Sequence, residues 1–200
     1  MLLGAMLSSQ SSAYCADLVI EAPTFVTGDT WEFSGLDNGK PYQWSREIIE
    51  VMPDARLRVK VVRNGKESIE IYDRWMNFLV DGRTDRARLL AKYPLAKEAK
   101  WQYTISFGNP SAGTNGEAKV VAEEHITVPM GSYDCLKVES STSYRSGLYT
   151  TYDRTTRWHC PQVKWIAKEV YDSRTFSPYN PAQTTNRLSD TELVRFTSGK

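Results

Sequence analysis

Apolar and polar residues alternate along many short segments of this chain, which is the pattern of half-buried β-strands. In Trp101–Phe107, aromatic and aliphatic residues fill every second position, with Gln, Thr and Ser between them. The segment Leu57–Val61 repeats the pattern with leucine and valine. Further strands are predicted at Trp31–Ser34, Tyr42–Met52, Ser68–Asp73, Met76–Val80, Ala118–Val128, Tyr133–Ser143, Leu148–Trp158, Trp165–Tyr171 and Glu192–Phe196.

Turn signals such as Asn64-Gly65 separate these strands and favour hairpins. About ten or eleven short strands with little helix predict an all-β, mainly antiparallel fold. We expect one curved sheet, or a half-barrel or clam. Thr84–Tyr93 is interpreted as a long connection with at most a short helix. Asn109–Gly116 is interpreted as a loop, and Ser177–Arg187 as a mobile surface loop.

The length of 200 residues predicts one β domain over residues 17–200. Two similar halves, at about 24–82 and 93–171, are indicated by short echoes in the sequence. Trp31-Glu32-Phe33 resembles Trp101-Gln102-Tyr103, and Tyr72-Asp73-Arg74 recurs as Tyr152-Asp153-Arg154. Chance similarity among aromatic-rich strands is the alternative.

Residues 1–16 have the apolar stretch and the small residues of a secretory signal peptide, although no Lys or Arg precedes the apolar stretch. The alternative is a frayed N-terminal tail. Lipidation of Cys15 is a further possibility, which the bulky Tyr14 before it disfavours. We therefore expect export, with the protein periplasmic or associated with the outer membrane.

Cys135 and Cys160 would remain as a pair after removal of such a leader. Both lie in predicted strands on either side of the turn signal Ser146-Gly147, and a hairpin centred there brings the two positions opposite each other. A disulfide is the expectation for an exported protein. Two buried free thiols are the alternative.

The charges nearly cancel, with 25 Lys and Arg against 24 Asp and Glu. That balance gives no basic surface for nucleic acid, and no apolar run is long enough for a transmembrane span. No nucleophile elbow, phosphate loop or metal-ligand spacing is present. The sequence therefore predicts no catalytic residues, no cofactor and no metal site. A thiol site that pairs either cysteine with His125 or His159 stays formally open.

Aromatic side chains are the remaining candidates for function. On a curled sheet some of them would line a groove that suits an acyl chain or an extended peptide. A purely structural role in the core is the alternative. The candidate ligand-binding residues are Trp44, Trp75, Trp101, Tyr103, Trp158 and Trp165.

Residues 93–171 resemble a family of exported bacterial proteins of unknown function. The resemblance rests on Tyr93-Pro94-Leu95, on the run from Val128 to Val138 that contains Pro129 and Cys135, and on the run Arg157–Glu169. The chain departs from the family pattern at Glu98-Ala99 and Lys164, where glycine is usual, and at the added Cys160. The resemblance implies a curved antiparallel sheet, distantly similar to lipoprotein carriers of the LolA/LolB type. It brings no catalytic residues with it.

Three hypotheses follow. The first is a non-enzymatic envelope protein that binds a lipid, lipoprotein or other hydrophobic ligand on a concave aromatic face. The second is an assembly or interaction module without lipid, whose interior is filled by its own side chains. The third is a hydrolase or thiol enzyme that uses a cysteine and a histidine.

Overall fold

The computed structural model describes residues 17–83, 87–106, 113–146, 148–177 and 180–200. The predicted signal segment 1–16 and Cys15 lie outside the described residues, as do residues 84–86 and 109–112 of the two predicted connections. The strands are β1 (Val19–Ile20), β2 (Thr30–Asp37), β3 (Lys40–Val51), β4 (Leu57–Arg63), β5 (Lys66–Tyr72), β6 (Leu95–Ala96), β7 (Lys100–Ser106), β8 (Gly113–Val128), β9 (Gly131–Ser146), β10 (Tyr149–Cys160), β11 (Trp165–Ser177) and β12 (Asn180–Thr197).

Ten of these strands form one open antiparallel sheet in the order β5-β4-β3-β2-β12-β11-β10-β9-β8-β7. Strands β2 to β5 form one meander and β7 to β12 a second. The two meet where β12 pairs with β2. Strands β1 and β6 form a separate antiparallel pair. The predicted all-β, mainly antiparallel fold is confirmed.

One face of the sheet, called here the inward face, carries the apolar side chains. Leu57 and Val59 of β4 are buried, whereas Arg58 between them is exposed. A core cluster gathers the inward side chains of β2, β3, β4 and β11, and a second cluster those of β7, β8 and β9. The alternation read from the sequence therefore separates core from surface.

The connection between β5 and β7 packs over the inward face of the second cluster. Its side chains at Leu90, Tyr93 and Leu95 are buried in that cluster. The Asn77 amide donates to the carbonyl of Ala91 at 2.8 Å, and its oxygen accepts from the Ala91 N–H at 2.9 Å. The connection thus fills space that an empty concave sheet would leave open.

Three local predictions are wrong. Met76–Val80 is not a strand: only isolated bridges join Phe78 to Tyr72 and Leu79 to Ala87 there. Residues 113–116 of the predicted loop Asn109–Gly116 are the first residues of β8 and pair with β7, as at Gly116–Tyr103. Ser177–Arg187 is not a surface loop over its length, because β12 begins at Asn180 and its backbone pairs with β11, as at Arg174–Asn186. Ladder pairing with a long neighbour outweighs the low strand propensity of these residues.

The side chain of Asp29 links three segments of the chain through hydrogen bonds and an ion pair. Its fully buried carboxylate accepts from the Val26 N–H, the Gly199 N–H and the Lys164 ammonium at 2.9 to 3.0 Å. Lys164 lies in the turn between β10 and β11. The contacts close one end of the sheet around its core.

Candidate functional site

The aromatic residues predicted to bind a ligand all pack against the interior. Trp75 is half-buried and packs on the second core cluster. The other five are at most 8% exposed: Trp44, Trp101, Tyr103, Trp158 and Trp165. A ligand-binding role for them stays a prediction. In this structure Trp44 packs edge-on against Trp165, Trp101 donates to the Leu89 carbonyl of the connection, and Trp158 donates to the Glu124 carboxylate.

Trp165 lies at the centre of the first cluster. Its ring meets Trp31 edge-on at 5.7 Å and Trp44 edge-on at 6.1 Å. Phe33 stacks on Trp44 with centroids 4.0 Å apart. Such pairs contribute about 0.5–1.5 kcal/mol each beyond the apolar area that they bury. The cluster is therefore part of what holds the fold together.

Arg46 is the unexpected member of this cluster. It occupies an inward position between Trp44 and Ile48 and is only 9% exposed. Its guanidinium carbon lies 4.6 Å from the Trp165 ring centroid, 4.9 Å from Tyr72 and 5.0 Å from Trp44. Its Nε and Nη1 atoms have no hydrogen-bond partner. Burial lowers the pKa of Arg46, yet a guanidinium stays protonated at any physiological pH.

A second inward arginine is paired. Arg157 donates from Nε to Glu169 Oε2 at 2.6 Å, and its Nη2 lies 2.5 Å from the same oxygen. Burial acts to raise the pKa of Glu169, but the positive charges of Arg157 and Arg46 outweigh it and hold that pKa below its usual value. The interior thus holds a carboxylate that stays ionised between two arginines.

His159 is fully buried beside this pair. Its Nδ1 lies 3.3 Å from the Tyr93 hydroxyl, and its Nε2 has no partner. Burial and the charge of Arg157 lower the pKa of His159 to about 3. The ring is therefore neutral at neutral pH.

Cys135 of β9 and Cys160 of β10 form a disulfide with their Cα atoms 4.4 Å apart. Both side chains are buried in the first core cluster. The bond engages both sulfurs, and the neighbouring His159 contacts Tyr93 instead. The arrangement gives neither cysteine a free thiolate.

A broad concavity lies on the opposite, outward face. It is a groove of about 1260 Å³, called here the outer groove. Two rows of side chains run across the strands there. Within each row, every residue is the register partner of the next residue on the neighbouring strand. The first row is Gln102, Glu117, Ser141, Arg154 and Asp172, and the second is Thr104, Asn115, Ser143, Tyr152, Arg174 and Asn186.

Between the two rows lie inward-facing residues, among them Tyr103, Gly116 and Thr142. A Cβ atom at Gly116 would lie 2.4 Å from the Tyr103 ring and 2.7 Å from Thr142 Cγ2. The missing side chain therefore lets the ring of Tyr103 lie close against β8, beneath the outer groove.

Tyr152 and Phe176 form the aromatic part of the outer groove. Their rings stack with centroids 5.7 Å apart and planes 8° apart, and Tyr152 is 51% exposed. Neither residue was among the ligand-binding candidates predicted from the sequence. The sequence did contain a signal for Tyr152. It is an aromatic residue at a position of β10 that alternates with the inward side chains and therefore faces outward.

Comparisons with known proteins give a family similarity over part of the chain. Residues 109–175 match the DUF3108-like family model. This segment contains β8, β9, β10 and all but the last two residues of β11, and it therefore includes the middle of the outer groove. No curated protein matches the chain.

Two solved structures are similar to the chain over most of its length. One, from Bacteroides fragilis, is described as an exported protein with a YmcC-like fold; it is 14% identical, and the match covers 92% of this chain and 100% of that one, with a TM-score of 0.45. The other, from Parabacteroides distasonis, is described as a lipoprotein; it is 16% identical, with coverage of 88% and 99% and a TM-score of 0.44. Similarity to LolA/LolB-type carriers stays a prediction.

Proposed function

We propose that this chain is a non-enzymatic protein of the bacterial envelope that binds its partner in the outer groove. The observation that carries the proposal is the contrast between the two faces. The inward aromatic side chains are buried against one another, whereas the outward face presents a groove of about 1260 Å³.

Export is supported by the disulfide between Cys135 and Cys160. Disulfides persist in oxidising compartments such as the periplasm and are rare in the cytosol. Within the described residues, no helix is long and apolar enough to cross a membrane. We therefore propose a location in the periplasm or at the outer membrane.

We also propose that the protein has no catalytic activity. The groups that the thiol hypothesis requires are engaged elsewhere: the two sulfurs bond to each other, His159 is buried against Tyr93 with a pKa of about 3, and the exposed His125 lies 2.7 Å from Asp134. A general base needs a pKa near the working pH and access to the substrate. His159 has neither.

A hydrophobic ligand in the interior is the second candidate, and Arg46 favours it. Its unpaired Nε and Nη1 atoms lie among aromatic rings. An acyl chain with an anionic headgroup would satisfy them if the rings packed around Arg46 moved apart to admit it. The outer groove is preferred because it is open without any rearrangement.

The proposal is tested by blocking the outer groove. Asn115 and Thr127 are both exposed on β8, but only Asn115 lines the groove. Asn115→Trp should remove most cosedimentation of the oxidised protein with a bacterial envelope preparation, and Thr127→Trp should leave it unchanged. Equal binding by both variants and the unmodified chain would overturn the proposal.

The interior candidate is tested by adding octanoate to palmitate and measuring the melting temperature. A ligand that binds only the folded state raises that temperature in proportion to its occupancy. The proposal predicts no shift. A rise with palmitate that Arg46→Met abolishes would favour the interior site instead.

A further inference from the structure

We infer that the outer groove binds an uncharged, linear oligosaccharide chain across strands β7 to β12. This inference rests on the proposed function, because it names the chemical class of the partner that the groove would hold. Four features of the groove carry it: its length, direction, charge and aromatic platform.

The length of the groove fits a polymer. It crosses six neighbouring strands, and strands in a sheet lie about 4.8 Å apart, which makes the groove about 24 Å long, on the order of five pyranose rings. A single small molecule would occupy only part of it. The geometry therefore favours a chain of repeating units.

The direction of the groove disfavours a peptide. Extended peptides bind sheets by adding a strand along an edge, where backbone N–H and C=O groups are free. The outer groove runs across the strands, whose backbone groups already pair with their neighbours. The backbone N–H and C=O groups of a peptide in the groove would have to form their hydrogen bonds with side chains and water.

The charge of the groove disfavours a strongly ionic polymer. Arg154 and Arg174 are offset by Glu117 and Asp172, and the Arg174 guanidinium lies 3.4 Å from the Asp172 carboxylate. The remaining charged residue of the lining, Asp153, is buried and lies 3.7 Å from the Arg88 guanidinium. The other members of the two rows are Ser, Thr, Asn and Gln, together with Tyr152. Hydroxyl and amide side chains both donate and accept hydrogen bonds, as sugar hydroxyls do.

The stacked rings of Tyr152 and Phe176 supply the apolar contact that sugars need. The face of an aromatic ring is electron-rich and attracts weakly positive C–H groups, and one face of a pyranose ring presents a set of such groups. Tyr152 is 51% exposed, so half of its surface is available for contact with a ligand. An acyl chain, by contrast, would leave most of the polar rows without partners.

The test measures binding of a panel of uncharged oligosaccharides by isothermal titration calorimetry, using the full disulfide-bonded chain. The panel contains β-1,4-linked glucose, β-1,4-linked N-acetylglucosamine and α-1,4-linked glucose, each as the disaccharide and the pentasaccharide. At least one pentasaccharide should bind, at least tenfold more tightly than its disaccharide. Failure of every pentasaccharide to bind would overturn the inference.

The aromatic platform has a matched pair of variants. Tyr152→Ala should weaken pentasaccharide binding at least tenfold, because the stacking ring is lost. Tyr152→Phe keeps the ring and should bind within about threefold of the unmodified chain. Unchanged binding by Tyr152→Ala would overturn the inference, as would tighter binding of an uncharged heptapeptide than of any sugar.

The two proposals fail in distinguishable ways. If Asn115→Trp abolishes envelope binding while no pentasaccharide binds, the outer groove remains the binding surface and only the sugar assignment falls. If Asn115→Trp leaves envelope binding unchanged, the proposed function falls, and the sugar assignment falls with it.

Discussion

Gly116 is the position where one methyl group should test the packing beneath the outer groove. A Cβ atom there would lie 2.4 and 2.5 Å from two ring carbons of Tyr103, far inside ordinary contact at 3.4–4 Å. The ring is 5% exposed and packs in the second core cluster, so it cannot simply swing into solvent. Gly116→Ala must therefore displace it.

The expected cost is a difference of two effects. Overpacking of a well-packed interior costs about 1–3 kcal/mol, and replacing glycine in a strand recovers about 0.5–1 kcal/mol of chain entropy. Gly116→Ala should therefore lower the free energy of unfolding by about 1–2 kcal/mol. Urea denaturation with the unfolding slope held constant measures it.

A double-mutant cycle separates the clash with Tyr103 from any other effect at this position. Tyr103→Val removes the ring and is itself destabilising, by about 2–4 kcal/mol for the lost burial. In that background only the approach to Thr142 Cγ2 at 2.7 Å remains, so Gly116→Ala should cost clearly less than it does in the unmodified chain. An equal cost of Gly116→Ala in both backgrounds would refute the claim that the ring requires the glycine.

Three further predictions concern the groups that hold the sheet together. Replacing Cys135 and Cys160 with Ala opens a closed loop with a sequence separation of 25 and should lower the free energy of unfolding by about 3 kcal/mol; unchanged stability in urea would contradict this. The pKa of His159 is depressed to about 3, so the unfolded chain takes up a proton first as the pH falls below about 6.5. Stability should then fall from pH 6 to pH 5 with a contribution of up to about 1.4 kcal/mol per pH unit, which His159→Phe should remove; an unchanged slope in that variant would argue against it. Asp29→Ala should cost about 3–5 kcal/mol because it leaves the Lys164 ammonium without its carboxylate, and a thermal melt within a few degrees of the parent would rule this out.

Period-two alternation predicted the fold well because it reports burial directly. Leu57, Val59 and Val61 are fully or almost fully buried, and Arg58 is exposed, as the pattern requires. A strand needs only one buried face, and one face is visible in a short stretch of sequence.

Residues 177–187 show where that reasoning ends. Their composition is that of a loop, yet from Asn180 onward they extend β12, because β11 offers a long ladder of free backbone groups. Pairing with a neighbour is not visible in the local sequence. Strand propensity is correspondingly weak evidence when the partner strand is already formed.

The candidate site could be predicted only in part. The sequence singled out the aromatic residues, but the burial of Trp101 and Tyr103 depends on the connection between β5 and β7, which packs in the same cluster at Leu90 and Tyr93. Six strands form the outer groove, so predicting it requires the pairing register of all six. Tyr152 and Asn115 are distant in sequence and meet only through Ser143, which lies opposite both.

Native mass spectrometry of the chain recovered from a bacterial periplasm, without delipidation, tests most directly whether the interior is filled by its own side chains. The packed aromatic cluster around Trp165 predicts a chain free of lipid, lighter than the reduced form by the two hydrogens lost in the disulfide. A bound lipid that is released only on denaturation would contradict a filled interior and assign binding to the inward face.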